Sequence, residues 1–303
     1  MGGFRRSGFL AEPLRFPGLG RDVPGGRWRS LPRLLLLALY GLAGGAALSV
    51  WASLTAMVGK PVDAWCYYRI APAAPYWQTD YAFLYSPAAA QAVAPFQVLS
   101  FEAFVALVRA AELGVALALA GPLLPLVILW PPLVTEVNAA NINLLIVGVA
   151  VWGLRWPALW SFVLLTKVTP GVGLVWFAAR REWRSLAIAL GVTGAIAAVS
   201  FAYAPRLWFE WVAFMTTLSP SDGAPLWIRV VASAALVAWG ARTDRPWTVV
   251  VAVTLATPRL YLQTPAMLIG LLYYVRPRLG SPVEAIRDRA LRSARPQPSA
   301  PAP

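Results

Sequence analysis

From Leu34 to Tyr274 the chain is a succession of apolar segments separated by short breaks, and that succession decides what it can fold into. The first segment, Leu34 to Val58, is long enough to cross a hydrocarbon core of ~30 Å and too long for a signal-peptide core. Charged residues make up 13% of the 303 positions, against about 25% in soluble domains. The sequence therefore predicts an all-α integral membrane protein, because a bilayer interior demands that each backbone N–H and C=O be satisfied within the protein. Fifteen Trp fit helices anchored at the headgroup level.

The breaks are of two kinds. One is rich in Arg: Arg155, then Arg180, Arg181 and Arg184, then Arg242 and Arg245, then Arg276 and Arg278. The other is polar but poor in basic residues: Gly59 to Tyr85, Glu136 to Asn143, Thr166 to Pro170, Arg206 to Asp222 and Thr257 to Gln263. Positive-inside logic puts the first kind in the cytoplasm and the second outside. Ten crossings satisfy the alternation: 34–58, 100–120, 122–136, 141–154, 156–166, 170–179, 183–204, 226–241, 246–257 and 264–275. Several are too short to span at 1.5 Å per residue, so they read as half-helices or re-entrant hairpins and the count as about eight to ten. Three regions follow: a basic cytoplasmic arm at 1–33 without apolar periodicity, a polytopic body at 34–276, and a basic, Pro-rich cytoplasmic tail at 277–303. Within the body, 59–99 is expected as an outer loop, with 86–99 a short helix lying in the membrane interface. Arg109 and Glu112, three residues apart in the 100–120 segment, are placed to pair inside the bundle.

The net charge of +13 would point to nucleic acid in a soluble protein. Here the arm carries seven Arg against Glu12 and Asp22, and the stretch from Arg276 onward six Arg against Glu284 and Asp288. Nine of the thirteen net positive charges therefore sit in tails that orient the chain and touch anionic lipid, and no nucleic-acid partner is expected. With no His and one Cys, imidazole bases, Ser-His-Asp triads, disulfides and thiolate metal clusters fall away. No Gly-rich nucleotide loop, Asp-x-Asp pair or metal spacing is present.

Candidate chemistry lies in the outer breaks. Asp63, just past the first segment, can act as a general base toward a hydroxyl or be a solvated loop acid; Asp80 has the same two readings. Lys167, one of two lysines, either snorkels to the interface or neutralises a buried anion such as a lipid phosphate. Asn141 and Asn143 can donate to a sugar or phosphate or cap the following helix. Arg259 offers a fork suited to phosphate, or to an ion pair with an outer acid. The loop aromatics, Tyr67, Tyr68 and Tyr85 among them, can face a sugar ring or form an interfacial belt.

In order, these features resemble the polyprenol-phosphate-mannose-dependent glycosyltransferases of family 87, which have the multispanning GT-C fold. The resemblance rests on Asp63 with Tyr67-Tyr68; on Phe83-Leu84-Tyr85-Ser86-Pro87 with Pro95; on Ala140-Asn141-Ile142-Asn143-Leu144-Leu145, where the family has Gly-Gln-x-Asn-Leu-Leu; and on Lys167-Val168-Thr169-Pro170. Thr257-Pro258-Arg259-Leu260-Tyr261-Leu262-Gln263 stands where members often carry Ser-Pro, an aromatic and His. The resemblance implies inverting transfer of a sugar, mannose first, from a polyprenyl-phosphate donor to a lipid or glycan hydroxyl at the outer face of the cell membrane. Asp63 would be the base and Lys167 would stabilise the leaving phosphate. Asn141, Asn143 and Arg259 would contact the donor, and Tyr67, Tyr68, Asp80 and Tyr85 are candidate substrate contacts. No cofactor is expected beyond the lipid-linked substrate, with a divalent metal left open; the partners are membrane lipid, donor and acceptor. The alternatives are a transporter or flippase for a lipid-linked or anionic substrate, and a non-catalytic relative.

Overall fold

The computed structural model describes residues 61–70, 76, 83–217 and 225–275, all within one compact unit. The expected first span, the arm, the tail and Asp80 lie outside the described residues. The regular elements among them are all helical, with no strand.

A short helix α1 (Val62–Tyr68) is followed by α2 (Pro87–Val93) and a 3-10 turn at Ala94–Val98. Then α3 (Phe101–Ala120) runs through Gly121–Leu123 into α4 (Leu124–Val127) as a 27-residue apolar rod long enough to cross a membrane. The stretch 122–136 is therefore not a crossing of its own. Its first half prolongs that rod, and its second half enters α5 (Pro131–Ala139), which begins where Pro131 forces Trp130 into extended backbone. Helix α6 (Asn143–Trp152) meets α5 at 110°, so this apolar pair is a broken span or re-entrant hairpin.

Two more short apolar pieces follow: Pro157–Leu159 with α7 (Trp160–Thr166), and Thr169–Leu174 with α8 (Val175–Ala179). Helix α9 (Trp183–Tyr203) is the second long span. The chain closes with α10 (Pro205–Thr217), α11 (Leu226–Arg242), α12 (Trp247–Leu255), a 3-10 stretch Thr264–Leu271 and α13 (Leu272–Val275).

Burial sorts these helices into a centre and a jacket. Along α6, Asn143, Leu144 and the run Ile146 to Val151 are buried, as are most of α12 and of Thr264–Leu271, and these three pack on one another. Helix α9, apolar all round, buries only Ala189 and Ser200 and leaves Leu190, Val199 and Phe201 outward, as a helix facing lipid does. Helix α11 approaches α12 closely enough that a Cβ at Gly240 would overlap the Thr248 side chain.

Three expectations need correction. Segment 86–99 is not wholly on the surface: Phe96 and Val98 are exposed, but Ser86 to Ala90 are buried against α7 and α9, and Ser86 both caps α2 and donates its hydroxyl to the Leu165 carbonyl at 2.6 Å. The break from Arg206 onward is largely the helix α10, whose Trp211 indole donates to the Leu84 carbonyl at 3.2 Å. Arg109 forms no hydrogen bond to Glu112. It turns to the carbonyls of Val137 (3.1 Å) and Asn138 (2.9 Å), closing the orphan C-terminus of α5, while the buried Glu112 carboxylate has no hydrogen-bond partner among the described residues.

Candidate active site

Local chain chemistry sets the frame. Asp63 lies in the first turn of α1, where a carboxylate is favoured by the helix dipole, and Tyr67 follows four residues later on the same face. The opposite face is fixed by aromatics: Trp65 packs edge-on to Phe101 at 5.1 Å, and Tyr68 lies against Phe101 and Phe104. At the bend between α5 and α6, Ala140 adopts φ 51° and ψ 55°, the left-handed conformation that ends a helix. That reversal turns Asn141 and Asn143 back toward α5. Lys167 follows the last residue of α7 in extended backbone, and the turn after it is tied down by the Thr169 hydroxyl on the Ala256 carbonyl at 2.5 Å.

These pieces meet. The Lys167 ammonium donates to Asn143 Oδ1 at 2.6 Å and to Asn141 Oδ1 at 3.3 Å. Asn141 Oδ1 also accepts from the Tyr67 hydroxyl at 3.2 Å, and Tyr67 is joined to the Tyr85 hydroxyl at 2.9 Å. Behind Asn143 stands Glu136, one oxygen accepting the Asn143 backbone N–H at 2.8 Å and the other the Asn143 side-chain N–H at 2.9 Å. Glu136, Asn141 and Asn143 are buried and form the floor, whereas Asp63 and Lys167 are only partly buried.

Burial raises the Asp63 carboxyl above the ordinary Asp range; the Lys167 charge and a hydrogen bond from Asn141 pull against it. Burial, and next to it the Asp63 charge, push the Cys66 thiol up to about 11. Burial and the neighbouring Tyr85 and Asp63 hold Tyr67 well above the usual phenol value. Two of the three Lys167 protons are bound by amide oxygens, which leaves one for an incoming anion. Among the described residues, no three His, Cys, Asp or Glu side chains converge as a metal cage would.

Asp63, Tyr67, Tyr85, Asn141, Asn143 and Lys167 are thus brought together. Tyr68 is not: its hydroxyl is taken by the Leu99 carbonyl at 2.7 Å. Arg259 is exposed in its turn and has no hydrogen bond to the cluster. Neither Asn is the side-chain cap of α6, whose N-cap is Ile142, so the capping reading gives way to the contacts with Lys167. Sequence reasoning passed over Glu136, which marked only the start of a break. A carboxylate at the end of an apolar segment, seven residues before Asn143, was the signal.

The family model of glycosyltransferase family 87 matches residues 83–287, more than half of the chain. The chain belongs to glycosyltransferase family 87. It is a membrane glycosyltransferase, and the family match includes Tyr85, Glu136, Asn141, Asn143 and Lys167, while Asp63 and Tyr67 precede it. No match to a curated protein or to a solved structure was found.

Proposed function

We propose that this family 87 enzyme is an inverting transferase. It moves a sugar, mannose first, from a polyprenyl-phosphate donor to a hydroxyl of a lipid or glycan acceptor at the outer face of the cell membrane. The observation that carries the reading is the hydrogen-bonded path that sets a partly open carboxylate, Asp63, beside a partly open ammonium, Lys167, over a buried amide floor.

In the single displacement, the acceptor hydroxyl gives its proton to Asp63 as its oxygen bonds to the anomeric carbon. The bond from that carbon to the phosphate oxygen breaks on the opposite face, and the electron pair leaves with the polyprenyl phosphate. Lys167 then meets the negative charge that grows on the leaving phosphate, where preorganised charge contributes most. A raised carboxyl is the stronger base once ionised, which suits it to a weakly acidic hydroxyl. Tyr67 and Tyr85 line the same opening as candidate sugar contacts.

The test is a transfer assay with purified protein across several polyprenyl-phosphate sugars. Wild-type protein is expected to transfer from at least one of them, and Asp63→Asn to stop turnover while the thermal midpoint holds. A fully active Asp63→Asn would remove Asp63 as the base.

A further inference from the structure

The carboxylate of Glu136 lies one residue behind the proposed chemistry, reaching Lys167 only through Asn143. We infer that Glu136 is the positioning residue of the site: by gripping both N–H groups of Asn143, it fixes which end of that amide faces Lys167 and so where the ammonium points.

The argument is one of donors and acceptors. Both Glu136 oxygens accept from Asn143, one from the backbone N–H and one from the side-chain N–H. An ionised carboxylate is the side chain that offers two acceptors at this spacing and no donor. With its N–H group so engaged, the Asn143 amide can present only Oδ1 to Lys167, at 2.6 Å. Were the amide turned over, its N–H group would face the ammonium, donor against donor. Glu136 and Asn143 are 0% and 2% exposed, so no water can take over either contact. The two acceptor oxygens of Glu136 thereby hold the amide toward Lys167 without a direct ion pair between Glu136 and Lys167, which leaves the ammonium open to a phosphate.

This inference rests on Lys167 serving the donor phosphate, and it has a test that separates the two. In Glu136→Gln the new amide keeps one acceptor and puts a donor against Asn143, forcing a mismatch on one side or the other. In the exchange Glu136→Gln/Asn143→Asp, the carboxylate at position 143 accepts from both the new amide and Lys167. Every hydrogen bond and the net charge are then restored.

Full-length protein in detergent is assayed for affinity toward polyprenyl phosphate and for its thermal midpoint. Glu136→Gln is expected to weaken affinity roughly tenfold or more and to lower the midpoint; the exchange is expected to recover the midpoint but not the affinity, because its carboxylate at position 143 pairs directly with Lys167. Lys167→Met should set the floor, with no further loss on adding Glu136→Gln. Wild-type affinity in Glu136→Gln, or an exchange variant that does not fold or whose midpoint does not recover, overturns the inference. If Lys167→Met binds polyprenyl phosphate as well as wild type, the reading of Lys167 has failed. The midpoint then decides for Glu136: recovery in the exchange of stability lost in Glu136→Gln supports the grip, and no recovery refutes it.

Discussion

The two ends of the helix bundle handle charge in opposite ways. At one end, Arg180 joins α8 to the turn after α11 by pairing with Glu182 at 2.8 Å and Asp244 at 2.9 Å, and it also stacks on Trp176. Arg155 and Arg245 likewise cover Trp156 and Trp239. These side chains are well exposed, 29% for Arg180 and 55% for Asp244, and such pairs contribute little, about 0–1 kcal/mol. At the other end Asp63, Glu136 and Lys167 make no direct ion pair; amides and a phenol stand between them. Burying charge without direct neutralisation costs stability. The comparison teaches that Arg180 is neutralised directly where nothing has to enter, whereas the charges of the site are held apart by amides where a substrate has to enter between them.

The largest test of this contrast is in turnover. Asp63→Asn and Lys167→Met are each expected to lower transfer by about 10²–10⁴-fold. Arg180→Ala, at the paired end, should leave turnover within about twofold and cost at most about 1 kcal/mol. Equal losses at both ends would end the distinction.

The next test concerns arginines at the substrate end that serve structure. Arg109 closes the carbonyls at the end of α5, and Arg229 does the same for Leu255, Thr257 and Pro258 after α12, at 2.7 to 3.0 Å. Arg109→Met should destabilise by about 1–3 kcal/mol through orphaned carbonyls, with turnover falling only as folded protein is lost. Thermal unfolding alongside specific activity separates these effects.

A third test uses pH. Burial raises Asp63, so as a base it must shed its proton against that bias, and the rate should fall with acidification at a pH above the ordinary Asp value of about 4. Because the Lys167 charge pulls in the other direction, residual activity in Lys167→Met should have its acid limb at higher pH still. For stability the sign is fixed by the same shift. With its folded value above its unfolded one, Asp63 lowers stability as pH rises through that interval. At neutral pH, Asp63→Asn should therefore melt no lower than wild type even as it stops turnover. Cys66, pushed up to about 11, should react slowly with maleimide at neutral pH and faster toward alkaline pH, with a thiolate fraction of about 10⁻⁴ at pH 7.

The smallest effect concerns Ala140, which holds a left-handed backbone where the family motif has Gly. Ala140→Gly should stabilise by up to about 1 kcal/mol. A lower midpoint would mean that the buried methyl outweighs the backbone strain.

Much of the fold was legible because hydrophobic runs and their breaks report directly on burial. The segments at 100–120, 183–204, 226–241 and 264–275 end within a residue or two of observed helices. The error at 122–136 has a local cause: Gly121 and Pro122 read as a break, yet a single 3-10 turn carries the helix past them. Placing the first half of 86–99 at the surface failed because the Ala-rich sequence at 88–90 fits a tight interior as well as a shallow surface. In the site, Asn141, Asn143 and Lys167 could be picked out because polar residues are costly beside apolar runs. Their meeting could not, since it depends on a 110° bend and on a turn fastened by Thr169. Glu136 and Tyr68 show the limit. Glu136 gained its role across a bend that reverses the chain within seven residues, and the Tyr68 hydroxyl is taken by a carbonyl thirty-one residues on.

The amide path has a consequence for biogenesis. Lys167 is flanked by pieces of 10 and 11 residues, Pro157–Thr166 and Thr169–Ala179, and each is too short to be threaded through a bilayer singly. The ammonium between them finds its acceptors only on the α5–α6 bend, made more than twenty residues earlier. Insertion must therefore proceed as hairpins delivered to a waiting bend. A substitution that delays that bend would be felt first in the yield of membrane-integrated protein, before any effect on the rate of the protein that does mature.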